Sequence, residues 1–175
     1  MAHTPLLALT LVVASTVLAQ IALAESKPDI IHLRTIDSRM RALVREGIRS
    51  SASFRALVDR INRSDVVVYI QCDGYTSPSR MTFMTSAGGL RYVLVRVQRM
   101  LLRDQQLAIM AHELQHAVEV ADAPAIVDEV SLAQEYRKIG YVNRYSMAPG
   151  IAFDSVAAVE TGQRVLRELA SGQSD

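Results

Sequence analysis

Tryptophan is absent from this chain, cysteine occurs once and phenylalanine three times. A single Cys72 excludes an internal disulfide, so the chain is not a small scaffold held together by crosslinks. It reads as a small buried side chain at a strand end rather than as a nucleophile. An excess of charge of one sign is lacking too, with 19 Lys and Arg against 18 Asp and Glu and a formal net charge of +1. That balance excludes the basic field on which nucleic-acid binding rests and gives no reason for attraction to an anionic membrane. Internal repeats are missing, and the polar tail Ser171 to Asp175 is the only biased tract. Histidine is scarce: there are four, and none follows His116.

The one long hydrophobic run is at the start. Leu6 to Leu23 is almost wholly apolar, and Ala22-Leu23-Ala24 gives a small-x-small cleavage context before Glu25. Residues 1–24 therefore read as a secretory signal peptide, cleaved near Ala24, which places the mature protein in the periplasm or outside the cell. Met1 to Pro5 carries no Lys or Arg, and the run approaches spanning length, so an uncleaved anchor is the alternative. Membrane contact is expected only in that case. Residues 25–175 then suit one domain with a sizeable core.

Periodicity divides that domain into helices, a small sheet and further helices. Asp29 to Arg34 is expected as a short strand or extended arm. Asp37 or Ser38 would cap a helix burying Met40, Leu43, Val44 and Ile48, and Ser53 a second with Phe54, Leu57, Val58 and Ile61. Val66-Val67-Val68-Tyr69-Ile70 is a strand, and Arg80 to Thr85 and Leu90 to Val97 flank Ala87-Gly88-Gly89 as a hairpin does. Arg91, Val93, Val95 and Val97 share one face of its second arm. After Ala123-Pro124, Ser131 is expected to cap a helix ending at Gly140, and a last helix runs from Asp154 to Ala170. The fold class expected is α+β: a small, mostly antiparallel sheet packed against helices, with one helix at the centre.

That central helix holds the informative stretch, His112-Glu113-Leu114-Gln115-His116, set between Leu107-Ala108-Ile109-Met110-Ala111 and Ala117-Val118. Residues four apart on an α-helix lie one above the other, so two imidazoles converge on one cation. Leu107, Ala111, Leu114, Val118 and Ala121 form a buried stripe, while His112, His116 and Glu119 gather opposite. The apolar flanks argue against a solvated helix carrying the pattern by chance. Zinc accepts neutral imidazole, and a catalytic zinc keeps three protein ligands and an open position. Glu113 is rotated about 100° from His112, beside such an ion, where a general base for water stands.

Ile109 to Val118 resembles the active-site helix of the zincin superfamily of zinc metallopeptidases. The resemblance implies a zincin-like fold, bound Zn²⁺, Glu113 as the catalytic base and a peptide or protein as substrate. Metzincin-like enzymes need a Gly three residues after the second ligand and a further His; Glu119 occupies that position and no such His follows. What is left is a gluzincin-like or aspzincin-like arrangement with an acid as third ligand.

Several acids compete for that place. Glu119 lies about 10 Å along the axis from His112, which suits it better to holding a histidine tautomer than to a bond with the ion. Asp122, near Pro124, reads as helping to end the helix. Glu135 stands nineteen positions after His116, a spacing found in some gluzincin-like enzymes, and is equally readable as an ordinary exposed carboxylate beside Leu132, Tyr136 and Ile139. Asp154 precedes Ala157, Ala158 and Gly162, small residues that let its helix approach another, and is equally readable as an N-cap. Asp154 is the expected ligand, with His112 and His116. The strand 90–97 is expected to hold an extended substrate; Tyr141, Arg144 and Tyr145 are candidates to face an oxyanion, although loop tyrosines more often simply cover apolar surface. A non-catalytic exported binding or assembly protein that keeps the helix for a structural metal is the alternative. His32 reads as structural.

Overall fold

The computed structural model describes residues 32–35, 37–74, 78–143 and 152–172. The leader, 1–24, and Arg144 and Tyr145 lie outside the described residues. Strand β1 (Leu33–Thr35) leads into helices α1 (Ser38–Ser50) and α2 (Ala52–Asn62). Strands β2 (Val66–Asp73), β3 (Arg80–Ala87) and β4 (Leu90–Gln98) follow, then the long helix α3 (Arg103–Asp122) and helix α4 (Glu129–Ile139). Two short strands, β5 (Tyr141–Val142) and β6 (Phe153–Asp154), precede the last helix, α5 (Val156–Ser171). No described helix is long and apolar enough to cross a membrane.

The α+β architecture is present, with a mixed sheet in the order β1-β2-β4-β3. β3 and β4 form the antiparallel hairpin, turning on Gly88 (φ 59°) and Gly89 (φ 77°), a left-handed pair that suits a tight hairpin turn. β2 runs parallel to both β1 and β4. The reason is the path of the chain: β3 makes the return run at the outer edge, and β4, reversing again at the glycines, comes back in the direction of β2 and inserts beside it. β4 is therefore paired on both sides and offers no edge, which overturns the expectation that 90–97 receives an extended substrate. Among the described residues the free edge on that side belongs to β3.

Alternation along the strands sorts the two faces. Val66, Val68 and Ile70 pair with Arg91, Val93 and Val95, and all six are buried on the face that meets the helices. Tyr69 and Tyr92, on the other face, stack with ring centroids 6.5 Å apart. The core continues through Met40, Val44, Phe54, Val58 and Ile61 into Leu107, Met110, Leu114 and Val118 of α3, whose predicted stripe is buried as a unit. The start of α1 is as expected, and those of α2 and α4 depart from expectation by a few residues. Asp37 caps α1, accepting from Arg39 N at 2.7 Å. Ser51, not Ser53, caps α2, and Asp128, not Ser131, caps α4, with Ser131 returning the bond from the first turn. Ser53 is instead drawn to α5: its hydroxyl and that of Ser51 both donate to the Glu168 carboxylate at 2.5 Å.

Two polar side chains fasten the ends of α3. At its start, buried Gln106 donates to the carbonyls of Gln98 and Arg99 at the end of β4. At its finish, Arg91 of β4, only 5% exposed, donates to the carbonyls of Val120, Ala121, Ala123 and Ile126 and forms a two-pronged ion pair with Asp65. A guanidinium at the negative end of a helix satisfies orphan carbonyls and the helix dipole together. The hydrogen bond from Arg91 holds the Asp65 carboxyl below its usual range.

Arg91→Met should therefore destabilise the fold by about 2–3 kcal/mol, a value set below that of a fully buried pair because Asp65 is half exposed; Asp65→Asn should cost less, and urea denaturation reads both. Because the folded Asp65 titrates lower than the unfolded one, its contribution is present above about pH 4 and is lost as the pH falls further. The gap between wild type and Asp65→Asn should close in acid.

Candidate metal centre

His112 and His116 face outward from α3 toward β6 and α5, and the strand pair β5–β6 presents Asp154 to them. Tyr141 pairs with Asp154 and Val142 with Phe153. Ser155, not Asp154, caps α5, its hydroxyl accepting from Ala158 N at 3.0 Å. Asp154 is thereby released from capping, and the last helix begins at Val156 rather than at Asp154. Its Oδ1 lies 3.3 Å from His112 Nε2 and 3.6 Å from His116 Nε2. All three ligand atoms fall within 4.8 Å of one another. Bonds of about 2.0–2.2 Å at tetrahedral angles place zinc ligands about 3.3–3.6 Å apart, so this donor set, two imidazole nitrogens and a carboxylate oxygen, fits a zinc ion. The His112-Glu113-x-x-His116…Asp154 arrangement is that of a zincin-like HExxH metal-binding motif completed by a third ligand, and a cluster suited to a divalent cation such as Zn²⁺.

Small residues make the approach possible. A Cβ at Gly162 of α5 would stand 3.1 Å from the Ala108 carbonyl and 3.3 Å from His112 Cβ, so α5 lies directly on the histidine face of α3. Gly140, the C-cap of α4, is tighter: a Cβ there would meet the Asp154 carbonyl at 2.4 Å. Both glycines are read from the sequence as helix-approach or helix-end residues, and both prove to set the position of a ligand.

The other expected acids fall where their chemistry differs. Glu135 points away, paired with Lys138 at 2.7 Å, and takes no part. Glu119 holds the second nitrogen of His116, with Oε2 2.8 Å from Nδ1. Asp122 forms an exposed ion pair with Arg60. Tyr141 is half exposed beside Asp154, and partial desolvation together with the charge of Asp154 raises its hydroxyl pKa.

Sequence reading missed Tyr136 and Ser155. Tyr136, grouped there with the apolar stripe of α4, is buried with its hydroxyl 2.6 Å from Glu119 Oε2 and 2.8 Å from His116 Nδ1. Ser155 donates to Glu119 Oε1 at 2.5 Å. A tyrosine among apolar residues needs a partner for its polar tip, and that was the available signal.

Glu113 is 4% exposed, and burial raises its pKa against the opposing charges of His116 and His112; the backbone of Met81 on β3 also favours its ionised form. Burial disfavours a charged His116, but hydrogen bonds to Asp154 and Glu119 prevail and push it up to about 9. Burial likewise opposes ionisation of Asp154 and Glu119, and their histidine partners overcome it, holding both carboxyls below their usual range. The site thus favours positive charge at its centre. Comparison with protein-family models, with curated proteins and with solved structures finds no match for this chain, so the reading of the site rests on its own geometry.

Gly140→Ala should shift β6 and with it Asp154, weakening zinc binding by about tenfold or more, the scale seen when a ligand's support is lost. Competition with a chromogenic chelator checks this, and a melting curve of the same variant shows whether the fold survives.

Proposed function

We propose that the protein is an exported zinc-dependent peptidase. The observation that carries the reading is a buried carboxylate, Glu113, beside three converging ligand atoms on His112, His116 and Asp154. Among the described residues three protein ligands converge rather than four, which favours an open catalytic site over a closed structural one. Zinc, when bound, supplies a Lewis acid that polarises the scissile carbonyl and acidifies water.

The chain supplies positioning and proton transfer. Glu113 takes a proton from the attacking water at its carboxylate and returns it to the leaving nitrogen. Its raised pKa favours that shuttle, because a carboxylate held in an apolar environment binds a proton more readily than a solvated one. The backbone of Met81 reaches the surroundings of Glu113, which puts the free edge of β3 next to the reacting groups. An extended peptide pairing with that edge would be held by its main chain across the site. Export accords with the leader-like residues 1–24. The substrate is taken to be a peptide or protein and not a nucleic acid, in line with the near-neutral net charge.

Glu113→Gln should retain one zinc per chain and lose peptide hydrolysis by at least about 100-fold, within the range of general-base catalysis. His116→Ala should lose both metal and activity. Metal analysis paired with a quenched fluorescent peptide library measures the two, and full activity in both variants would disprove the mechanism.

A further inference from the structure

Glu119 uses its two carboxylate oxygens on different parts of the fold. Oε2 accepts from His116 Nδ1–H on its own helix and from the Tyr136 hydroxyl on α4; Oε1 accepts from the Ser155 hydroxyl at the start of α5. The Tyr136 oxygen also lies 2.8 Å from His116 Nδ1. Every donor in this cluster is thus aimed at one carboxylate, and its members are buried. With Nδ1 committed as a donor, the neutral His116 ring that a metal ion requires turns its Nε2 lone pair toward Asp154 and His112. Ser155 is also bonded through its backbone N–H to Asp154 Oδ1 at 2.7 Å. One residue therefore ties the third ligand to the acid that orients the second.

We propose that Tyr136 and Ser155 are positioning residues of the metal centre: their hydroxyls fix Glu119 so that it orients His116 and draws α4 and α5, and with α5 the ligand Asp154, onto α3. The proposal rests on the reading of His112, His116 and Asp154 as a zinc site and extends it to side chains that touch neither ion nor substrate. The hydroxyls act through hydrogen bonds alone. The Tyr136 ring already packs edge-on to His116, centroids 5.3 Å apart, and against Phe153 at 6.3 Å, so its apolar anchoring survives removal of the oxygen.

Tyr136→Phe isolates the effect. Its zinc dissociation constant should rise about 10–100-fold, while the melting temperature of the zinc-free protein stays close to that of wild type. The visible absorption of the cobalt-substituted protein should change as the His116 ring loses its fixed orientation. Ser155→Ala should weaken zinc binding similarly and Ser155→Thr should restore it. Ser131→Ala, which removes the hydroxyl's bonds to Asp128 and loosens the start of α4 away from the site, should leave zinc affinity unchanged. Equal zinc affinity in wild type and Tyr136→Phe overturns the proposal, as does an equal loss in Ser131→Ala. Wild-type protein that takes up no zinc overturns the zinc-site reading and the proposal together. Zinc uptake weakened by Tyr136→Phe in a wild type that cleaves no peptide supports the proposal and removes only the peptidase reading.

Discussion

Three carboxylates, Glu113, Glu119 and Asp154, are buried in one small volume around buried His116 and partly buried His112. Negative charge at that density in an apolar surround is unfavourable unless a cation answers it. The elements packed here have one task in common, which is to hold these acids close together despite their repulsion. Helix α3 supplies two acids and both imidazoles at helical spacing, and the strand pair β5–β6 brings the third acid from 38 residues further along the chain. The site is a charge problem before it is a catalytic one, and the fold is arranged so that a divalent ion resolves it.

The helix that carries most of this charge has to stay still, and its anchoring is entirely polar at the ends and apolar along its length. Gln106 fixes the start to β4, Arg91 of the same strand fixes the finish, and Leu107, Leu114 and Val118 press the middle into the core. Strand β4 thus frames the metal helix from both ends. The central place of β4 in the sheet, paired on each side, explains why it serves as a scaffold while β3 is left as the edge beside Glu113.

What was legible in the sequence was whatever repeats at short range. The stripe of α3, the pairing of His112 with His116, the glycine hairpin and the inward valines of β4 all follow from periods of 3.6 or 2. Asp154 was legible only as one of several acids, because the contact that selects it spans helices distant in the chain; the small residues beside it were the clue. Arg91 stood visibly on the inward face with Val93, Val95 and Val97, but nothing local tells that a buried guanidinium would meet the end of a helix thirty residues later. The parallel register of β2 and β4 was hidden for the same reason: strand order depends on where a hairpin is placed, not on its own pattern. The starts of α2 and α4 were misplaced by two or three residues because serines and aspartates stand close together there, and the cap is the one whose backbone is still extended, as Ser51 is while it also donates to Glu168.

Asp154 belongs to the strand that immediately precedes the last helix, and Gly162 of that helix is what lets the two come down upon the histidines. During synthesis, the pair of imidazoles therefore emerges well before the acid that completes them. A nascent chain that has not yet made β6 and α5 carries two of the three ligands, and the cluster is complete only once those elements lie on α3.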